Sequence, residues 1–200
     1  MSYKFLTKGD PWLFFEEDLL TEKPVFVIVG SHTGESEEEL FRLYYRARII
    51  VYEASVQNFV ALVERTCSLP LRIHNKAVIG YDGRTTFFDY GKPSAHSHIR
   101  RKGGPSKVEI VDCASVGTIL RENQINCLDV MFITVWSPEN ILLDLLDREE
   151  VKQVCFHWYD FIVKERIEVE LEKKFKIVES PKKGNYACTL LIRGEKDGSE

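Results

Sequence analysis

The chain is poor in the features that mark membrane, secreted or nucleic-acid-coating proteins. No apolar run approaches the ~20 residues that span a bilayer, so no membrane partner is expected. Acidic residues number 31 against 27 basic ones, a formal charge of −4, which argues against a broad nucleic-acid surface. The 5 cysteines (67, 113, 127, 155, 188) fall at no metal or redox spacing and are odd in number, as expected of reduced thiols in a cytosol-like compartment. The opening Met1-Ser-Tyr-Lys-Phe lacks the charged-then-apolar layout of a secretory leader. Internal repeats and low-complexity tracts are also missing. A cytoplasmic protein is the expectation, with no membrane or nucleic-acid partner; oligomeric state is not readable.

What is present describes an ordinary globule, 44% hydrophobic and 29% charged over 200 residues. That length suits one α/β domain better than two. Three segments are expected: an N-terminal cover over residues 1–24, a main domain over 25–193 and a tail over 194–200. In the cover, Trp12, Phe14, Phe15, Leu19 and Leu20 supply an amphipathic face.

The most informative stretch is Val25-Phe-Val-Ile-Val-Gly30-Ser-His-Thr-Gly34-Glu-Ser. An apolar run ends in two glycines, and a helix-like segment follows. A second run, Ile49-Ile50-Val51, leads to Glu53. The first glycine permits a tight turn and the second a close backbone approach. An acid about 20 residues on can accept hydrogen bonds from both ribose hydroxyls. The alternatives are plain turn glycines and a Glu53 paired with a neighbouring cation. Glu35, Glu37, Glu38 and Glu39 crowd the first helical turn, where a dinucleotide would lay its pyrophosphate. Those acids oppose phosphate and tolerate a sulfonium; they also simply complement the helix dipole.

Further along, Ser36 with Glu39 reads as a capping box, and Ser55 as the cap of a helix carrying Phe59, Leu62 and Val63. A weak strand covers Leu71–His74. Asp82-Gly83 predicts a hairpin between Val78–Tyr81 and Thr85–Tyr90, and residues 91–107 a loop. Val108–Val111 reads as a strand, Ser115–Asn123 as a helix and Leu128–Val135 as a buried strand. Pro138 opens a helix over Glu139–Asp147, and Val151–Trp158 is another strand. Residues 161–175 fit strand alternation and a helical face; helix is preferred. Phe175–Glu179 and Tyr186–Arg193 close the chain as an antiparallel pair. The fold class expected is α/β, Rossmann-like of the methyltransferase type: a mostly parallel seven-stranded sheet, an antiparallel C-terminal hairpin, and helices on both faces.

Three blocks resemble the FkbM-type methyltransferases, which use S-adenosylmethionine to methylate oxygens, commonly on sugars. They are Val27-Ile-Val-Gly30-Ser-His-Thr-Gly34-Glu35, Val51-Tyr-Glu53-Ala-Ser-Val-Gln-Asn58-Phe59, and Asn75-Lys-Ala77-Val-Ile-Gly80. The resemblance implies S-adenosylmethionine as cofactor, with Gly30, Ser31, Gly34, Glu53, Ala54, Asn75 and Ala77 around it, and a small acceptor such as a carbohydrate. This sequence departs from the family pattern at Ile28, Thr134, Trp136 and Cys155, which stand where the family has acids. Non-enzymatic binding on the same scaffold is the alternative, and a dinucleotide oxidoreductase a third. His157, at a strand end, is the candidate base for a hydroxyl proton, or a structural histidine. His96, His98, Arg100 and Arg101, near Lys102 and Lys107, are candidates for holding the acceptor, or a solvated loop. His96 and His98 lack a third ligand, so no metal is expected. His32 sits inside the glycine turn.

Overall fold

The computed structural model describes residues 2–7, 13–31, 34–90, 104–105, 107–135, 137–158, 167–179 and 187–194. Expectations resting on Trp12, His32, His96, His98, Arg100, Arg101, Lys102, Trp136 and residues 159–166 lie outside them.

The element order is β1 (Tyr3–Phe5), β2 (Phe14–Glu16), β3 (Val25–Val29), α1 (Glu35–Leu43), β4 (Arg48–Tyr52), α2 (Val56–Thr66), β5 (Arg72–His74), β6 (Ala77–Val78), β7 (Gly83–Asp89), β8 (Lys107–Ala114), α3 (Val116–Glu122), β9 (Leu128–Ile133), α4 (Glu139–Leu145), β10 (Val151–Trp158), β11 (Phe175–Glu179) and β12 (Ala187–Arg193). Seven strands form the main sheet in the order β11-β12-β10-β9-β3-β4-β5. Strands β10, β9, β3, β4 and β5 run parallel, and β12 is antiparallel to both β10 and β11. The expected α/β sheet with a closing antiparallel pair is therefore observed. Its strand order reverses direction between β3 and β9, where open α/β sheets leave a crevice beyond the strand ends.

The central strands are covered on both faces, hence their continuous apolar runs. All six residues of β9 are buried. On one face Val27, Ile50, Met131 and Phe156 meet Ile119, Leu142 and Leu145 of α3 and α4. Helical backbone over 167–171 joins that core through Ile167 and Leu171, as preferred, whereas Phe175 belongs to β11. The other face carries Phe26, Ile28 and Phe132 against Leu40 of α1 and Leu62 of α2.

The N-terminal cover is a β1–β2 ribbon. Phe15 fixes it to the sheet, its ring centroid 5.7 Å from Phe26 and 5.9 Å from Phe132. The buried Gln153 amide completes the attachment: its Oε1 accepts from Glu16 N (2.8 Å) and its Nε2 donates to Glu16 O (3.1 Å). One side chain thus substitutes for a neighbouring strand. Leu19, expected in this cover, is instead exposed.

Two local expectations are corrected. Helix α1 starts at Glu35 after an N-cap Gly34, without a side-chain cap, so the Ser36/Glu39 capping box does not form. Glu39 instead accepts from Thr7 N (2.7 Å) and Thr7 Oγ1 (2.6 Å); the partner is distant in sequence. The Asp82-Gly83 hairpin also fails. Strand β7 pairs with β8, and β6 lies parallel on the other side of β8, in a separate three-stranded sheet. Asp82 serves α3, accepting from Ser115 N (2.8 Å) and Thr118 Oγ1 (2.7 Å). Those charge-favouring bonds hold the Asp82 carboxyl below its ordinary range. The Ser55 cap forms as expected, accepting from Asn58 N at 3.3 Å.

A candidate cofactor site at the carboxyl edge of the sheet

Strand β3 ends just before the glycine turn, β4 just before Glu53 and β5 just before Asn75, all at one edge of the sheet. Gly30 continues the ladder by donating to Tyr52 O (2.9 Å) and then takes φ +85°, a left-handed backbone that glycine adopts without strain. A Cβ there would come within 3.0 Å of Thr134 Oγ1 and 3.1 Å of Val135 Cγ1. Thr134 follows β9 directly, and its hydroxyl donates to Val29 O at 3.0 Å and also bonds Gly30 O. It ties the two strand ends at the topological switch. Ile28, the other departure on β3, is buried in the core.

Gly34 closes the turn by donating to Ser31 O (3.3 Å) and also has φ +85°. Its added Cβ would meet Leu62 Cδ1 at 2.8 Å and Thr66 Cγ2 at 2.9 Å. The closeness at Gly34 therefore serves the seating of α1 on α2.

Apart from Glu39, which is buried against Thr7, the first-turn acids divide into two kinds. Glu35 and Glu38 face outward to Arg65 of α2, at 3.1 Å and 2.9 Å. Glu37 turns inward and is fully buried. Among the described residues, neither its carboxyl oxygens nor the buried Ser31 Oγ has a hydrogen-bond partner. Burial pushes the Glu37 carboxyl up to about 7; the nearby Ser31 hydroxyl favours the ion without reaching hydrogen-bond geometry, and the Glu53 charge adds to the rise. Periodicity did not single out Glu37, because acids opening a helix ordinarily face solvent.

Glu53 is only 4% exposed. Its Oε1 accepts from Ser55 N at 2.9 Å, and its backbone N donates to His74 O at 3.0 Å. Asn75 Nδ2 donates to Glu53 O (2.8 Å) and Ala54 O (3.1 Å). Asn75 thus shapes the loop that presents Glu53. Ala77 is buried, and with Ile79, Phe87 and Val111 it makes a small core onto which Ala54 packs. Next to this edge lies a depression of about 400 Å3 lined by Ser55, Val56, Asp89 and Glu109 among others. A second, of about 290 Å3, is lined by Val56, Asn75, Arg84 and Asp112 among others. Neither lining includes Gly30 or Glu53.

His157 is 3% exposed, near the carboxyl end of β10 and opposite Cys188 of β12. It shares a sheet face with Cys155, whose sulfur lies 3.1 Å from that of Cys188 and accepts from Phe14 N at 3.4 Å. Of the acceptor-side cluster, Lys107 is described and pairs with Glu109. Among the described residues no group of histidines, cysteines and acids has metal-holding geometry, and no helix is long and apolar enough to cross a membrane.

No protein-family model and no curated protein matches the chain, so the FkbM resemblance rests on its three sequence blocks. Solved structures do match. TrmK of M. capricolum, in complex with S-adenosylhomocysteine, has a TM-score of 0.51 at 10% identity, covering 92% of this chain and 68% of its own. The Methanococcus jannaschii fibrillarin, a pre-rRNA processing protein, gives 0.55 at 13%, covering 89% and 70%. The precorrin-6y C5,15-methyltransferase of Geobacter metallireducens gives 0.52 at 10%, covering 87% and 82%. These likenesses show the fold: the chain has a Rossmann-like α/β fold shared with these methyltransferase structures.

Proposed function

We propose that this chain is an S-adenosylmethionine-dependent methyltransferase. The observation that carries the reading is the set of acceptor groups at the glycine turn: Ser31 Oγ, Glu37 and Glu53, all at or beside the switch point. Such a set suits a ligand rich in hydrogen-bond donors and carrying positive charge. It does not suit a pyrophosphate, which argues against a dinucleotide oxidoreductase. Gly30, Ser31, Gly34, Glu53, Ala54, Asn75 and Ala77 would hold the cofactor. When bound, S-adenosylmethionine supplies an activated methyl group. The chain's own part is to fix the turn through Thr134, keep the Glu53 loop in place through Asn75, and accept donors at Glu53.

The FkbM resemblance supports a sugar or other small hydroxylated acceptor. The fold leaves acceptor choice open, since its bearers include a pre-rRNA processing protein and a precorrin methyltransferase. His157 is the side chain proposed to receive the acceptor's proton. The net charge of −4 favours a small acceptor over nucleic acid.

A second reading, a binding protein without turnover, is favoured by one observation. Ile28 is consumed by the core, and Thr134 by its bonds to Val29 and Gly30, where the family has acids. Titration calorimetry with S-adenosylhomocysteine tests the common premise. Binding to wild type, weakened at least about tenfold in Glu53→Ala, is expected; no heat at millimolar ligand rejects both readings. Transfer of labelled methyl to any hydroxylated acceptor separates enzyme from binder.

A further inference from the structure

The Glu37 carboxyl makes no hydrogen bond among the described residues, and a buried carboxyl without partners burdens a fold. We propose that Glu37 is the residue that selects the ligand at this edge: with Ser31 and Glu53 it accepts the hydroxyl and ammonium donors of an adenosyl amino acid, and it offers a phosphate no cation to pair with. The inference rests on the functional reading above and adds to it a residue outside the three-block resemblance.

Three features of the surroundings support the assignment. Helix α1 is nine residues long, and its N-terminus would otherwise attract anions through its free amides. What faces the turn here is a carboxyl in place of a cation, its Cα–Cβ bond leaning back toward the turn as every helical side chain does. The cation nearest in effect, Arg65, is engaged by Glu35 and by both oxygens of Glu38, at 2.9–3.1 Å. The groups acting on Glu37 are therefore the Ser31 hydroxyl from the turn, the Glu53 carboxylate beyond β4, Arg65 from α2, and the helix's own backbone. None of them gives it a hydrogen bond of ordinary geometry. A ligand bringing an ammonium or hydroxyl group supplies what is missing, and one bringing phosphate adds a further anion.

Because burial leaves the free carboxyl protonated near neutrality, a ligand whose ammonium group pairs with the carboxylate must displace its proton to buffer. The test titrates the full chain with S-adenosylhomocysteine at pH 6.5 in two buffers of different ionisation enthalpy, followed by NAD. Wild type should release roughly half to one proton per ligand and bind NAD poorly. Glu37→Gln should release none and bind S-adenosylhomocysteine at least about tenfold more weakly, narrowing its preference over NAD by the same factor. Ser31→Ala, which keeps the carboxyl, should retain the proton release and weaken binding by a few-fold (~3-fold). Equal affinity and equal proton release in wild type and Glu37→Gln overturn the inference alone. Should Glu37→Gln fail to fold, absence of proton release from wild type together with unchanged affinity in Ser31→Ala overturns it too. Wild type that binds no S-adenosylhomocysteine removes the functional reading, and this inference with it.

Discussion

Replacing Glu37 by glutamine should stabilise the protein at alkaline pH, opposite to most core substitutions. The carboxyl titrates at about 7 in the fold against 4.5 for an unburied glutamate. At about 1.4 kcal/mol per tenfold change in proton affinity, that gap amounts to about 3 kcal/mol. Its sign follows from proton counting. Below pH 4.5 folded and unfolded chains both carry the proton. Between 4.5 and about 7 the unfolded chain has shed it and the folded chain has not, so stability falls as pH rises. Above about 7 the loss is complete. Glutamine never ionises, so the variant escapes the loss. Wild type and variant should melt within about 3 °C of each other near pH 5, and the variant should melt roughly 10 °C higher at pH 8, taking about 2–4 °C per kcal/mol for a domain of this size. Scanning calorimetry at half-unit steps from pH 5 to 8.5 reads the divergence. A constant gap, or a variant less stable than wild type at pH 8, would show that Glu37 is not a buried titrating acid.

Other expectations follow from geometry already described. Gly34→Ala places a methyl within 3 Å of Leu62 and Thr66 at a positive φ, and should cost about 2–4 kcal/mol in denaturant unfolding. Gln153→Leu strands the backbone N and O of Glu16; a loss of about 2–4 kcal/mol is expected, with faster amide exchange confined to β1 and β2. Asp82→Ala removes two bonds at the start of α3 and should cost about 1 kcal/mol, an effect that vanishes as pH falls through the depressed Asp82 pKa. His157→Gln should leave S-adenosylhomocysteine affinity unchanged while reducing methyl transfer at least about a hundredfold; unchanged transfer would remove His157 from the reaction.

The main sheet was legible because its central strands are buried on both faces, and such strands must read as unbroken apolar runs. The glycine turn was legible through backbone demands that only glycine meets cheaply, visible as two φ values of +85°. What escaped the sequence depends on distant partners. Asp82-Gly83 carries a strong local hairpin signal, yet the strand that pairs with β7 begins at Lys107. Glu39 has the spacing of a capping box, yet its donor is Thr7 from the N-terminal ribbon. Burial of Glu37 was invisible for a related reason: one-dimensional spacing gives no hint that Glu35 and Glu38 go outward to Arg65 while Ser36 and Glu37 between them go in.

The placement of β12 between β10 and β11 governs how the sheet can be completed during synthesis. When β11 leaves the ribosome, its slot next to β10 must stay vacant for a strand still to come. Until residues 187–193 emerge, β10 offers an open edge to any passing extended peptide. The strands ending at Gly30 and Glu53 are by then long translated. The half of the sheet bearing those two residues can therefore mature first, and a nascent chain stalled short of β12 should be sticky at one flank and well formed at the other.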